Sequence, residues 1–227
     1  MKILIITSCT NKKVIEISNT LTKEDFKKGC EYIKTREMLR KRYLVSAEKM
    51  YNGEQHKYIM KGINILRKER PDIQLDLYIV SAGYGVIPGN KYILPYECTF
   101  SDMNIKELNE WSLFLNIHSD IKNILEYEYD LILISLGEPY LKACNLNNDI
   151  IIKSNTLIFC SKQSLKYLPR NENIFHIILT NTEAKRFSCG LISLKGKLIY
   201  KLLISLINVT CIDNTMFKKY CNLDFYD

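Results

Sequence analysis

Glycine and proline are scarce in this chain, nine and five among 227 residues, and there is a single tryptophan. That scarcity excludes collagen-like chains and Pro/Gly-rich disordered ones. The eight cysteines, at 9, 30, 98, 144, 160, 189, 211 and 221, form no CxxC pair and stand apart from the three histidines. The spacing of a structural zinc site is therefore missing, and no metal or organic cofactor is implied. The glycines and the Gly-Lys-Ser/Thr ending of a Walker loop are missing after the first apolar run, which disfavours ATP binding by that route. Long hydrophobic runs are absent too. Leu202 to Ile212 falls short of the ~20 residues that cross a bilayer. The opening MKILIITSCTNKK has too short an apolar core for a signal peptide and no small-residue cleavage site. The expectation is a cytoplasmic protein with reduced thiols and no membrane partner.

What is present is a globular composition, 47% hydrophobic and 25% charged. The 32 Lys+Arg against 25 Asp+Glu leave a net charge of +7. That balance favours polyanionic partners such as DNA or RNA. Base-composition bias in the gene, visible as abundant Lys, Ile and Asn, explains it equally well. The length suits one domain, and neither a repeat nor a linker interrupts it.

Five β-branched or aliphatic runs read as strands: Lys2–Thr7, Leu75–Ser81, Asp130–Leu136, Asn155–Cys160 and Ile174–Thr180. Their continuity suits strands covered on both faces, so the expected fold class is α/β, a largely parallel sheet of about five strands flanked by helices. Gln55–Lys68 carries Tyr58, Ile59, Ile63 and Leu66 on one stripe and Lys57, Lys61, Arg67 and Lys68 opposite, a covering helix stopped by Pro71. Ile105–Tyr127 reads as two helices broken near His118–Ser119, with Ser101–Asp102 and Ser119 as caps. Gly190–Asn208 is the last long helix. Residues 8–54 form a helical insertion, a lid or small subdomain, and 211–227 a tail packed loosely or folded back through Phe217, Tyr220 and Phe225.

In open α/β sheets ligands bind beyond the carboxyl ends of the strands, so the five turns there are expected to converge on one crevice. Ser8-Cys9-Thr10-Asn11-Lys12 offers an anion-binding nest of backbone amides. Ser81-Ala82-Gly83-Tyr84-Gly85 offers a tight turn presenting a tyrosine, followed by Pro95-Tyr96 in a long ordered loop. Gly137-Glu138-Pro139-Tyr140 follows the third strand; Lys162 and then Lys185-Arg186 follow the last two. Cations beside tyrosine rings suit phosphate and nucleobase together. Gln55 and His56 open the covering helix, His56 as a proton carrier or phosphate contact. Cys9, flanked by Lys12 and Lys13, is a candidate nucleophile, and also fits a small half-buried residue at a strand end. His118, His176 and Trp111 read as structural.

The ordered set Ser81-Ala82-Gly83-Tyr84-Gly85-Val86, Pro95-Tyr96, Gly137…Tyr140 and Ala184-Lys185-Arg186…Gly190 resembles the peroxide stress protein YaaA family and its relatives of unknown function. The resemblance implies a compact α/β fold, cytoplasmic location and DNA binding in a stress response. Some relatives appear in gene clusters that install 7-deazaguanine in DNA, implying chemistry on a modified base. Carried over by position, Ser81, Gly83, Tyr84, Gly85, Pro95, Tyr96, Gly137, Tyr140, Lys185 and Gly190 line or shape the site. The first loop departs from the family's Ser-Pro-Ala-Lys type, and Gly53-Glu54-Gln55-His56 has no counterpart there.

Three functions follow as expectations. In the first, an enzyme takes a damaged or modified base or abasic site into the crevice, Cys9, Lys12 or Lys185 attacks, and Glu138 or His56 moves protons. In the second, the rim holds DNA while Tyr84, Tyr96 or Tyr140 stacks on a base, without chemistry. In the third, the same crevice acts on a free nucleotide or 7-deazapurine. Ser8, Asn11 and Arg186 are substrate contacts in the first and third.

Overall fold

The computed structural model describes residues 1–146 and 150–227. In chain order its strands are β1 (Lys2–Ser8), β2 (Leu21–Thr22), β3 (Val45–Ser46), β4 (Gln74–Ser81), β5 (Gly85–Pro88), β6 (Tyr92–Ile93), β7 (Tyr96–Glu97), β8 (Leu131–Ser135), β9 (Thr156–Cys160) and β10 (Ile174–Ile178). Its α-helices are α1 (Lys23–Lys27), α2 (Cys30–Leu39), α3 (Ala47–Met50), α4 (Glu54–Glu69), α5 (Ile105–Phe114), α6 (Ile117–Leu125), α7 (Glu138–Cys144), α8 (Asn181–Arg186), α9 (Leu191–Ser205) and α10 (Asn214–Tyr220). The protein is α/β.

The main sheet has six strands in the order β10-β9-β8-β1-β4-β5. All five expected strands are in it and pair in parallel, and β5 adds an antiparallel edge through Ser81↔Gly85 and Ile79↔Ile87. β1 and β8 lie in the middle, where Ile3, Leu4, Ile5, Ile6 and Leu131 to Ile134 are at most 1% exposed. Covering such a side chain stabilises the fold by about 1.5–3 kcal/mol. That explains why these strands read as unbroken apolar runs.

Numbering only the parallel strands, the order is 2-1-3-4-5: the chain runs from β1 outward to β4, then returns to the other side of β1 for β8. The reversal makes the gap between the carboxyl ends of β1 and β8 the topological switch point, where such sheets bind ligands. Right-handed crossovers in opposite directions place α4 and α7 on opposite faces. α4 packs along α9, and α5 and α6 pack with α7.

The paired helices expected between Ile105 and Tyr127 are present, but the break lies at Leu115–Asn116 rather than at His118–Ser119. Asn116 takes the left-handed conformation (φ 55°), which asparagine tolerates better than most residues. The first cap is Asn104, whose side chain accepts Glu107 N–H at 3.0 Å, instead of Ser101–Asp102. Ser119 lies inside α6. The carboxyl-terminal segment is folded back, with Tyr220 and Tyr226 at 1% and 0% exposure. The 8–54 insertion is clipped to the following loop by two short ladders, β2 with β7 and β3 with β6. No helix among the described residues is long and apolar enough to cross a membrane.

Candidate functional site

β1 delivers Cys9 to the switch point. Its N–H extends the ladder to Val80 C=O at 3.0 Å, so this amide is unavailable to the expected anion nest. Its Sγ, only 6% exposed with its residue, lies 3.1 Å from the Tyr140 hydroxyl on α7, across the switch point. The loop after Cys9 is locked against the residues preceding α4. Lys13 bridges Tyr51, Asn52 N–H donates to Lys12 C=O at 2.9 Å, and Gly53 N–H donates to Thr10 Oγ1 at 3.2 Å. The insertion therefore returns to the site and supplies Tyr51.

At the end of β4, the Ser81 hydroxyl accepts Gly83 and Tyr84 N–H (3.2 and 2.9 Å) and donates to the Tyr96 hydroxyl at 2.7 Å. Tyr96 in turn lies 3.0 Å, hydroxyl to hydroxyl, from Tyr51. Gly85 has φ +74°, which a side chain would strain, and lets the chain reverse into β5. Gly83 is required by space: a methyl group there would stand 2.6 Å from the Phe26 ring and 2.9 Å from the Tyr96 ring. Phe26 packs edge-on against Tyr84 and Tyr96, with centroids at 5.0 and 5.8 Å.

One phenol, Tyr140, thus touches the sulfur, and two more, Tyr51 and Tyr96, bond to each other nearby. Burial, and after it the charge of Cys9, raises the pKa of Tyr51, Tyr96 and Tyr140 well above the ordinary 10.0. They stay protonated, and the Tyr140 hydroxyl can exchange a proton with the sulfur it touches. The neighbouring cation is Lys13, its Nζ 4.5 Å from the Tyr96 ring centroid. Burial lowers its pKa, against Cys9, Glu97 and Cys98, which raise it. Beside it opens a cleft of about 260 Å³ lined by Asn11, Lys13, Glu97, Cys98, Thr99 and Asp102. Burial pushes the Cys98 thiol up to about 11.

The structure brings together Ser8, Cys9, Asn11, Ser81, Gly83, Tyr84, Gly85, Pro95, Tyr96 and Tyr140, with Gly137 capping α7. The roles differ from those expected. Tyr96 and Tyr140 are 1% and 7% exposed and packed edge-on against other rings, and Tyr84 is half-buried with its hydroxyl accepting Leu94 N–H. Buried rings offer hydroxyls, not stacking faces. Lys12 is exposed, and it is Lys13 that faces the cleft. Glu138 pairs with Lys142 at 3.0 Å.

Convergence of all five turns does not occur. β10 is three strands from β1, about 14 Å at ordinary spacing. Lys185 and Arg186 on α8 follow that strand. Lys185 is exposed, and Arg186 ties down the chain end through Asp224 at 2.7 Å and Asp227. Gln55 binds the ends of β1 and β8 together, its Nε2 donating to Thr7 Oγ1 and Ser135 C=O at 3.2 and 3.1 Å. His56 is buried, its Nε2–H donating to Glu48 C=O at 2.8 Å.

Tyr51 and Cys98 were not picked out from sequence, whereas Lys13 is among the cations expected beside Cys9. In a strand–helix unit the residues just before the helix return to the strand's carboxyl end, a signal that points to Tyr51.

His56 also sets a pH dependence. Burial lowers its pKa below the ordinary 6.5, and burial does the same to His176. Below about 6.5 the unfolded chain therefore binds more protons than the folded one. Stability from the neutral rings is complete above that pH and is lost as pH falls through it. The urea midpoint is expected to drop between about pH 7 and about pH 5, and His56→Gln, which keeps a donor for Glu48, should reduce the drop. An unchanged pH profile in His56→Gln would refute this assignment.

No protein-family model matches the chain, and searches of curated proteins and of solved structures found no match either.

Proposed function

We propose that this chain is an enzyme whose Cys9 thiol attacks an electrophilic carbon of a nucleobase or nucleotide, free or carried in DNA or RNA. The observation that carries the reading is the 3.1 Å contact between Cys9 Sγ and the Tyr140 hydroxyl at the switch point of the sheet. A reactive sulfur needs a donor for its charge, a cation nearby and a cleft beside it. Tyr140 and Lys13 meet the first two, and the 260 Å³ cleft is reached through Lys13, which lines it while Cys9 itself does not. Glu97 and Asp102 share that cleft with Lys13, a mixture that repels a phosphate and suits the amino-bearing edge of a base.

The step is an addition. Sulfur forms one C–S bond at a C=N or C≡N carbon, and one C–N π bond breaks. The thiol proton passes to the Tyr140 oxygen while that hydroxyl's own proton goes to the substrate nitrogen, so no oxidant or other reagent is needed. Kinship with the YaaA family is part of the same proposal and supplies the nucleic-acid context, and the net charge of +7 agrees with it. The buried tyrosine rings speak against the purely stacking alternative.

The test is incubation with free nucleotides and with plain, abasic and 7-deazaguanine-containing oligonucleotides, each analysed by mass spectrometry. A mass change confined to one substrate class is expected. Salt-sensitive binding with no mass change would overturn the reading in favour of a binding module. A borohydride-fixed adduct on abasic DNA would transfer the attack to a lysine.

A further inference from the structure

A second cavity, of about 380 Å³, lies between the insertion and the break separating α5 from α6. Its size falls in the range of small-ligand sites, and so does its character: mainly aromatic and aliphatic walls with a few polar groups. Phe26, Ile33, Tyr84 and Phe114 make the walls. Phe114, 52% exposed, stacks on Trp111 at 4.9 Å and 12°. The polar groups are Glu37 on one side and Lys34 and Lys91 around it.

Glu37 is the informative member. It is half-buried, forms no ion pair among the described residues, and faces the Tyr84 hydroxyl. Burial pushes its pKa above the ordinary 4.5, against the Tyr84 hydroxyl and the charge of Lys91, which lower it. One phenol leaves most of its lone pairs free. Lys91 Nζ stands 5.7 Å from the Tyr84 ring centroid. Among the described residues Lys34 holds one ion pair, an exposed one with Glu31, the kind that contributes little and exchanges readily. A flat aromatic ring fits the walls, N–H donors on its edge fit the carboxylate, and a negative group fits the lysines.

We propose that this cavity is a second ligand site, for a mononucleotide whose base carries amino and ring N–H donors. It shares no lining residue with the Lys13 cleft, and Gly83, which lines it, packs against the Tyr96 ring, where a methyl group would clash. The site does not depend on the chemistry at Cys9, so binding and catalysis are separable.

The experiment uses the Cys9→Ser protein, so that no adduct contributes. GMP, CMP, UMP and guanosine are titrated against the fluorescence of Trp111, the only tryptophan, and against iodoacetamide labelling of Cys30, an exposed thiol that lines the cavity. GMP, with two adjacent donors, is expected to bind most tightly, then CMP, with UMP weakest because its carbonyls face the carboxylate. Bound GMP should slow labelling of Cys30. Glu37→Gln should weaken GMP by about tenfold and erase its advantage over UMP. Lys91→Ala should bring GMP close to guanosine. Equal affinity for GMP and UMP in the Cys9→Ser protein, or a Cys30 labelling rate unchanged by GMP, would overturn the proposal whatever happens at Cys9.

Discussion

Cys9→Ser is expected to abolish product formation, lowering turnover by about 10⁴-fold or more, while Cys98→Ser stays within about tenfold of wild type. The two thiols flank the same lysine, but only Cys9 touches a phenol hydroxyl across the switch point. Cys98 donates to Ala82 C=O at 3.2 Å and is pushed to about 11 by burial, so at neutral pH it remains a thiol. Serine preserves the size and a donor at position 9 but is a far weaker nucleophile than a cysteine sulfur. The fold should tolerate it, because the main-chain bond to Val80 does not involve the side chain. Comparable turnover in Cys9→Ser would remove sulfur from the mechanism.

The largest effect on stability is expected at Gly196, on α9. A methyl group there would stand 2.3 Å from Gln55 C=O and 2.9 Å from two further backbone atoms of α4. Helix propensity alone favours alanine by about 1 kcal/mol. Overpacking costs about 1–3 kcal/mol or more, and backbone cannot swing aside as a side chain can. The clash wins. Gly196→Ala should lose about 1–2 kcal/mol in urea unfolding, since the unyielding backbone puts the clash at the upper end. Gly190→Ala meets no clash, its nearest neighbour being Ser193 Oγ at 3.9 Å, and should lose only about 0.5 kcal/mol as a poorer N-cap of α9. Activity should fall with the first, because α4 carries Gln55, which ties β1 to β8 at the switch point. A Gly196→Ala protein as stable as wild type would show that the two helices can separate freely.

The sheet was readable from sequence because its parallel strands are buried on both faces: a run such as Leu131 to Ile134 has no polar residue to obscure it. The antiparallel edge β5 was hidden, since Gly85–Pro88 reads as a turn until Ser81 is seen pairing with Gly85. The two-residue ladders that fasten the insertion carry no periodicity at all. At the site, residue type was readable and orientation was not. Lys12 and Lys13 are neighbours in sequence, yet the bridge from Lys13 to Tyr51 leaves Lys12 in solvent and puts Lys13 at the cleft. Tyr96 and Tyr140 read as ligand-facing aromatics, but their rings belong to the core, with the Tyr140 hydroxyl on the sulfur and the Tyr96 hydroxyl on Ser81 and Tyr51. Lys185 and Arg186 misled because a turn after a strand was assumed to reach the crevice, whereas strand order places theirs at the sheet's far edge.

The most direct test of the account is the mass of the intact wild-type protein during turnover of whichever nucleotide or oligonucleotide it converts, followed by peptide mapping of the adduct. The account predicts a protein-bound species equal in added mass to the substrate base or nucleotide, mapped to Cys9 and absent from Cys9→Ser. Conversion of substrate with Cys9 unmodified throughout, and undiminished in Cys9→Ser, would contradict it.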